Sequence, residues 1–171
     1  KPRVLLKAAT NVRLSVHDWS PDGKWITFSQ PETQGTNSPR VISLVSVADG
    51  ALQKVIGENL SPDTVRFSPD GNYLAYNLAR NQIRGSNTQW TNDIYVVDVR
   101  TGRRKLAVEH SANERFVGWA PRGSEILFTS EQRGTPGLWS VLVENGETKV
   151  FPKLLKGGLE ELQPIGVTRE G

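Results

Sequence analysis

The 171-residue chain predicts an all-β fold, one four-stranded unit repeated along the sequence. Three observations predict it. A turn phrase, Trp19-Ser20-Pro21-Asp22-Gly23-Lys24-Trp25-Ile26-Thr27-Phe28, returns as Phe67-Ser68-Pro69-Asp70-Gly71-Asn72-Tyr73-Leu74-Ala75-Tyr76 and, more loosely, as Trp119-Ala120-Pro121-Arg122-Gly123-Ser124-Glu125-Ile126-Leu127-Phe128. A second set of tight turns, Ala48-Asp49-Gly50, Arg100-Thr101-Gly102 and Glu144-Asn145-Gly146, follows it with a period of about 44 to 52 residues. The strands ahead of those turns, Ile94-Tyr95-Val96-Val97 and Leu138-Trp139-Ser140-Val141-Leu142-Val143, are apolar on both alternating faces, so both sides of the sheet must be covered.

The elements follow in order. Residues 3–7, Arg-Val-Leu-Leu-Lys, read as a short strand ahead of the first repeat. The first unit has strands at 13–19, 24–29, 40–47 and 52–56; the second at 64–67, 72–78, 93–99 and 104–108; the third at 115–119, 125–129, 138–144 and 148–151. In the repeated turn, proline pre-sets φ at the first corner, aspartate suits the second, and glycine takes the left-handed position of a hairpin bulge. Gly23, Gly71 and Gly123 are kept in all three, whereas Arg122 replaces the aspartate in the third. A degraded fourth copy, Val167-Thr168-Arg169-Glu170-Gly171, falls where the period places it. Residues 153–162 carry leucines at Leu154, Leu155, Leu159 and Leu162, a spacing that suits one or two helical turns interrupted by Gly157-Gly158.

Four strands per period, covered on both faces, describe a β-propeller blade. The predicted architecture is a propeller fragment: an N-terminal strand in 1–10, blades at 11–60, 61–110 and 111–157, and the start of a fourth in 158–171. Propellers close with four to eight blades. Three therefore leave two apolar faces to be covered, either by the rest of a longer propeller or by a second copy of the chain completing a ring.

The Ser-Pro-Asp-Gly hairpins and the hairpin Asp93-Ile94-Tyr95-Val96-Val97-Asp98-Val99-Arg100-Thr101-Gly102 resemble the WD-repeat-like blades of the TolB family, also found in tricorn protease and in the propeller domains of prolyl oligopeptidase-type peptidases. The resemblance covers nearly the whole chain. It implies an extracytoplasmic bacterial setting, periplasmic or secreted, and protein partners. In those families the hairpins build blades and catalysis sits elsewhere or is absent.

Composition narrows the function classes. There is no cysteine, which excludes disulfides and thiolate metal sites, and no apolar run long enough for a membrane-spanning helix. The chain begins Lys1-Pro2-Arg3 and lacks methionine, which reads as an excised or processed piece. Net charge is +3, and Arg103-Arg104-Lys105 is the one basic triplet, a solvated hairpin end rather than a nucleic-acid stripe. No calcium loop, phosphate loop or nucleophile elbow occurs, so no cofactor, metal or catalytic residue is expected.

Parity of the antiparallel units gathers the longer connections, 30–39, 79–92 and 130–137, on one rim, where binding residues usually lie. The second offers Arg80, Gln82, Arg84, Asn87 and Trp90, and the third adds Arg133. His17, on an innermost strand, is a candidate for lining the central channel; His110 lies in a crossover. Trp19, Phe67 and Trp119, at equal blade positions, read as core. The sequence thus predicts a non-catalytic module that binds a protein, peptide or glycan through its long-loop rim or channel mouth. The alternative is an accessory gating propeller of a peptidase whose catalytic domain lies outside this chain.

Overall fold

A computed structural model describes residues 2–33, 40–57, 62, 64–84, 87–121, 123–159 and 167; the side chains of 80–84 and 87–90 are outside that description. The described chain contains thirteen strands and no helix. β1 (Ser15–Trp19), β2 (Trp25–Pro31), β3 (Arg40–Ser46) and β4 (Leu52–Gly57) form one antiparallel sheet in sequential order. β5 (Val65–Phe67), β6 (Tyr73–Arg84), β7 (Asn87–Asp98) and β8 (Arg104–Val108) form the second. β9 (Arg115–Trp119), β10 (Glu125–Ser130) and β11 (Gly137–Glu144) form the third, whose outer strand is split into β12 (Glu147–Thr148) and β13 (Lys153–Gly157), both paired to β11. These are propeller blades, with β1, β5 and β9 side by side at the inner ends.

The repeated turn owes its shape to side chains as well as to glycine. In the first copy Ser20 Oγ donates to Asp22 Oδ1 at 2.6 Å and accepts from the Trp25 N–H at 2.9 Å, while the Lys24 N–H donates to Asp22 Oδ1 at 3.0 Å. Ser68, Asp70, Asn72 and Tyr73 repeat the lattice. These bonds hold the Asp22 and Asp70 carboxyls below the usual aspartate range; for Asp70 burial, the largest influence, acts in the opposite direction. Gly23 and Gly71 take φ of 73° and 74°. In the third copy Ala120 has no hydroxyl to build the lattice, and the Gly123 N–H reaches the Ala120 carbonyl only at 3.4 Å; Arg122 lies outside the described residues.

Two apolar clusters lie between the blades. Ile42, Leu44, Val55 and Ile56 of the first blade meet Val65, Phe67, Leu74, Tyr76 and Val97 of the second. Ala75, Ile94, Val96 and Val108 of the second meet Phe116, Ile126, Phe128, Trp139 and Val141 of the third. The strands between clusters are buried on both faces, as their two-sided apolar pattern requires.

Four local expectations are corrected. Residues 3–7 form no strand, because no neighbouring strand is there to pair with them. The 79–92 stretch is not a loop: the β6–β7 ladder continues from Tyr73↔Asp98 to Arg84↔Asn87, since backbone pairing needs no apolar side chains. The fourth strand of the third blade ends at Thr148 and resumes at Lys153, and 153–157 is strand rather than helix. Trp19 is 56% exposed whereas Phe67 and Trp119 are each 7% exposed, because each inner-strand aromatic packs toward the preceding blade and Trp19 has none before it. Of the fourth turn copy only Val167 is described; it lies on the third blade, where a Cβ on Gly118 would stand 3.0 Å from its Cγ2.

Candidate functional site

The inner ends of the blades converge on the tight-turn face around an open cavity of about 620 Å³. Its wall comes from equal positions of the three repeats: Asp18 and Trp19 from β1, Arg66 and Phe67 from β5, Val117 to Trp119 from β9, with Pro21, Pro69 and Pro121 from the turns. An adjoining hollow of about 680 Å³ shares Pro69, Trp119 and Pro121 and runs out between the second and third blades.

Hydrogen bonds between blades fix this wall. Trp119 Nε1 donates to the Arg66 carbonyl at 3.2 Å, the Arg66 guanidinium donates to the His17 carbonyl, and the Phe67 N–H donates to Asp18 Oδ2 at 2.8 Å. The cavity therefore combines proline and aromatic surface with one carboxylate, Asp18, and one basic residue, Arg66. Chemically it suits a partner with an apolar body and a polar group.

His17 turns onto the sheet rather than into that cavity. Its Nε2 lies 2.9 Å from Ser29 Oγ, and the Arg40 guanidinium donates to Ser15 Oγ, the Ser29 carbonyl and Ser29 Oγ at 3.0–3.2 Å. Burial, and then the charges of Arg66 and Arg40, lower the His17 imidazole to about 4.

On the opposite rim, Arg80, Gln82, Arg84, Asn87 and Trp90 sit in the β6–β7 hairpin; their side chains lie outside the described residues. Arg133, exposed on the β10–β11 connection, stacks over the Trp139 ring at 5.3 Å. Beneath this rim is a polar cluster that sequence reasoning did not single out. Glu114 is fully buried; it accepts from Ser130 Oγ at 3.1 Å, and burial together with the neighbouring Asp93 charge raises its carboxyl to about 7 against that bond. His110 Nδ1 accepts from the Ala112 N–H at 3.1 Å and stands 3.8 Å from Glu114 Oε1. Among the described residues no group of three or more His, Asp or Glu side chains is placed to hold a metal ion.

The family model that matches is described as TolB beta propeller domain, over residues 2–153. Dipeptidyl-peptidase 5 from Aspergillus fumigatus is 28% identical over 159 residues, 84% of this chain and 22% of the relative. The chain thus spans about a fifth of that relative's length. Among solved structures, TolB from Acinetobacter baumannii has a TM-score of 0.59 at 23% identity, covering 87% of this chain and 34% of that one. The propeller domain of the Trilobed protease from Pyrococcus furiosus has a TM-score of 0.58 at 20% identity, covering 83% and 43%.

Proposed function

The chain belongs to the TolB β-propeller domain family, and from that premise we propose that it is a non-catalytic binding module holding a protein or peptide segment at its channel mouth. The observation that carries this reading is the cavity at the channel mouth: the Trp19 ring and the Asp18 carboxylate on a wall of prolines and aromatics from three repeats, fixed by hydrogen bonds between blades. A concave wall of aromatics with a few polar groups is the composition of a binding site. An extracytoplasmic setting belongs to this reading and rests on the resemblance to TolB; a bacterial origin does not, since dipeptidyl-peptidase 5 is fungal.

The test is a titration of tryptophan fluorescence with a mixture of unfolded tryptic peptides, for the wild type and for Trp19→Ala. A saturable change that weakens at least about tenfold in the variant is expected. Absence of saturation, or equal saturation in both, refutes the reading.

A second reading is favoured by the dipeptidyl-peptidase 5 relative: the chain is the accessory propeller of a peptidase, delivering or sieving peptides for a hydrolase domain outside these residues. Labelling of the parent protein by a fluorophosphonate, with no labelling of this chain alone, supports it. An unlabelled parent removes it and leaves the binding reading intact.

A further inference from the structure

The first two blades bring two guanidinium groups to one imidazole. Arg40, at the start of β3, donates from Nη2 to Ser15 Oγ at 3.2 Å, to the Ser29 carbonyl at 3.0 Å and to Ser29 Oγ at 3.1 Å. His17 Nε2 lies 2.9 Å from the same Ser29 Oγ, and Arg66 reaches across from β5 to donate from Nη1 to the His17 carbonyl. Register sets this up: Ser29 on β2 pairs with Ser15 on one side and with Ile42, two residues from Arg40, on the other. Ser29 is buried, whereas Ser15, His17, Arg40 and Arg66 are half-buried and within reach of solvent.

Both guanidiniums bond only to neutral oxygens. The ion pairs among the described residues join Lys24 to Asp22, Lys54 to Glu32, Lys105 and Lys149 to Glu147, and His110 to Glu114, so neither Arg40 nor Arg66 takes part. Asp18, beside His17 in sequence, turns Oδ2 to the Phe67 N–H. A guanidinium carries five N–H donors. With Nη2 of Arg40 and Nη1 of Arg66 engaged, Nε and Nη1 of Arg40 and Nε and Nη2 of Arg66 have no acceptor among the described residues. Partly desolvated positive charge without a counter-charge is unfavourable, and His17 feels its field: burial first, then Arg66 and Arg40, lower the imidazole to about 4.

The cluster is also no part of how a blade is built. At equal repeat positions His17 gives way to Val65 and Val117, Arg40 to Asn92 and Pro136, and Arg66 to Asp18 and Gly118. The turns and apolar strands recur while these residues do not, so a blade forms without them.

We propose that Arg40 and Arg66, with Ser15 and His17 beside them, form a binding site for an oxyanion, a carboxylate or a phosphate group, on the inner wall between the first and second blades. The forked N–H groups of arginine match two oxygens of either anion, and one anion would offset both cations. Ser15 lies four residues along β1 from Trp19, roughly 13 Å of strand, so the site is separate from the channel mouth and stands without the reading proposed for it.

The probes are sodium phosphate and, in a second arm, sodium acetate, each titrated into the isotopically labelled chain in Bis-Tris buffer at an ionic strength held constant with chloride. By NMR the His17 ring and the Nε–H signals of Arg40 and Arg66 are expected to shift saturably while the His110 ring stays in place. With the site filled, the His17 titration is expected to move upward, a change that a purely structural arginine pair would not produce. Arg40→Gln and Arg66→Gln should each weaken binding at least about tenfold, and Arg40→Lys, which keeps the charge but not the fork, should weaken it as well. Saturation by phosphate alone assigns a phosphorylated group, and saturation by acetate assigns a carboxylate. The proposal is overturned if neither probe saturates, if His110 shifts in parallel with His17, or if both glutamine variants bind as the wild type does. The wild-type signals decide the matter if a variant folds poorly.

Discussion

Replacing Glu114 by glutamine is expected to reveal an opposition between two buried titratable groups. Glu114 is held protonated: its carboxyl rises from 4.5 to about 7, by burial first and the Asp93 charge second. Its stabilising contribution is complete below the unfolded value and is lost as pH rises from about 4.5 through 7, about 3 kcal/mol for a fully desolvated carboxyl. His17 is held neutral, falling from 6.5 to about 4, so its contribution is complete above 6.5 and lost as pH falls through 4. Being only partly buried, it is worth about 2 kcal/mol after allowance for solvent screening. The two slopes overlap and oppose, so the wild type should vary by only about 1 kcal/mol between pH 4.5 and 7. Asp22, Asp49, Asp70, Asp98 and Glu147 all have lowered values, so their contributions are already complete throughout that window and are lost only below it. Glu114→Gln keeps an oxygen for Ser130 Oγ and removes the titration, leaving a stability that rises with pH by about 2 kcal/mol. His17→Asn leaves the reverse, a fall of about 3 kcal/mol. Urea unfolding followed by tryptophan fluorescence at pH 4.5, 5.5, 6.5 and 7.5 measures all three proteins. A Glu114→Gln profile parallel to that of the wild type refutes the reasoning.

Gly102→Ala combines a φ of 69° with a Cβ 2.6 Å from the Val55 carbonyl, and should cost about 3 kcal/mol; Gly134→Ala, at φ 84° with nothing within 4 Å, should cost about 1 kcal/mol. Equal losses in thermal unfolding would show that the approach between blades contributes nothing. Phe128→Ala, in the cluster between the second and third blades, should cost about 4 kcal/mol, whereas Phe151→Ala, at 95% exposure, should stay within about 0.5 kcal/mol of wild type by urea titration.

The blades were legible because their signals are local. Turn glycines, Ser-Pro-Asp corners and strands apolar on both faces each report on a few adjacent residues, and Arg104–Val108 and Arg115–Trp119 fall where the pattern places them. The extended β6–β7 hairpin was not read, since Arg80 to Trp90 lack period-two apolar residues. A signal was present: Gly85-Ser86 between Arg84 and Asn87 is the two-residue turn composition of a hairpin. Glu114 was invisible for a different reason. It sits in the polar run Ser111-Ala112-Asn113-Glu114, which reads as solvated, and its burial is imposed by contacts from the β7 side and from Ser130. Trp19 was misplaced because repeat equivalence with Trp119 fixes position within a blade but not whether a blade stands in front of it.

That asymmetry ties the two faces of the first blade together. Among the described residues three hydrogen bonds from inner strands are passed backward: Trp119 to the Arg66 carbonyl, Arg66 to the His17 carbonyl, and Phe67 to Asp18. Trp19 and the groove beneath Leu5 and Leu6 are both places where the next backward contact would fall. The inner end of that face opens on the channel-mouth cavity, and at the outer end Arg3 bonds to the Val47 and Ala48 carbonyls. Ile26 and Phe28 lie on β2, the strand whose Ser29 and Trp25 hold His17 and Ser20.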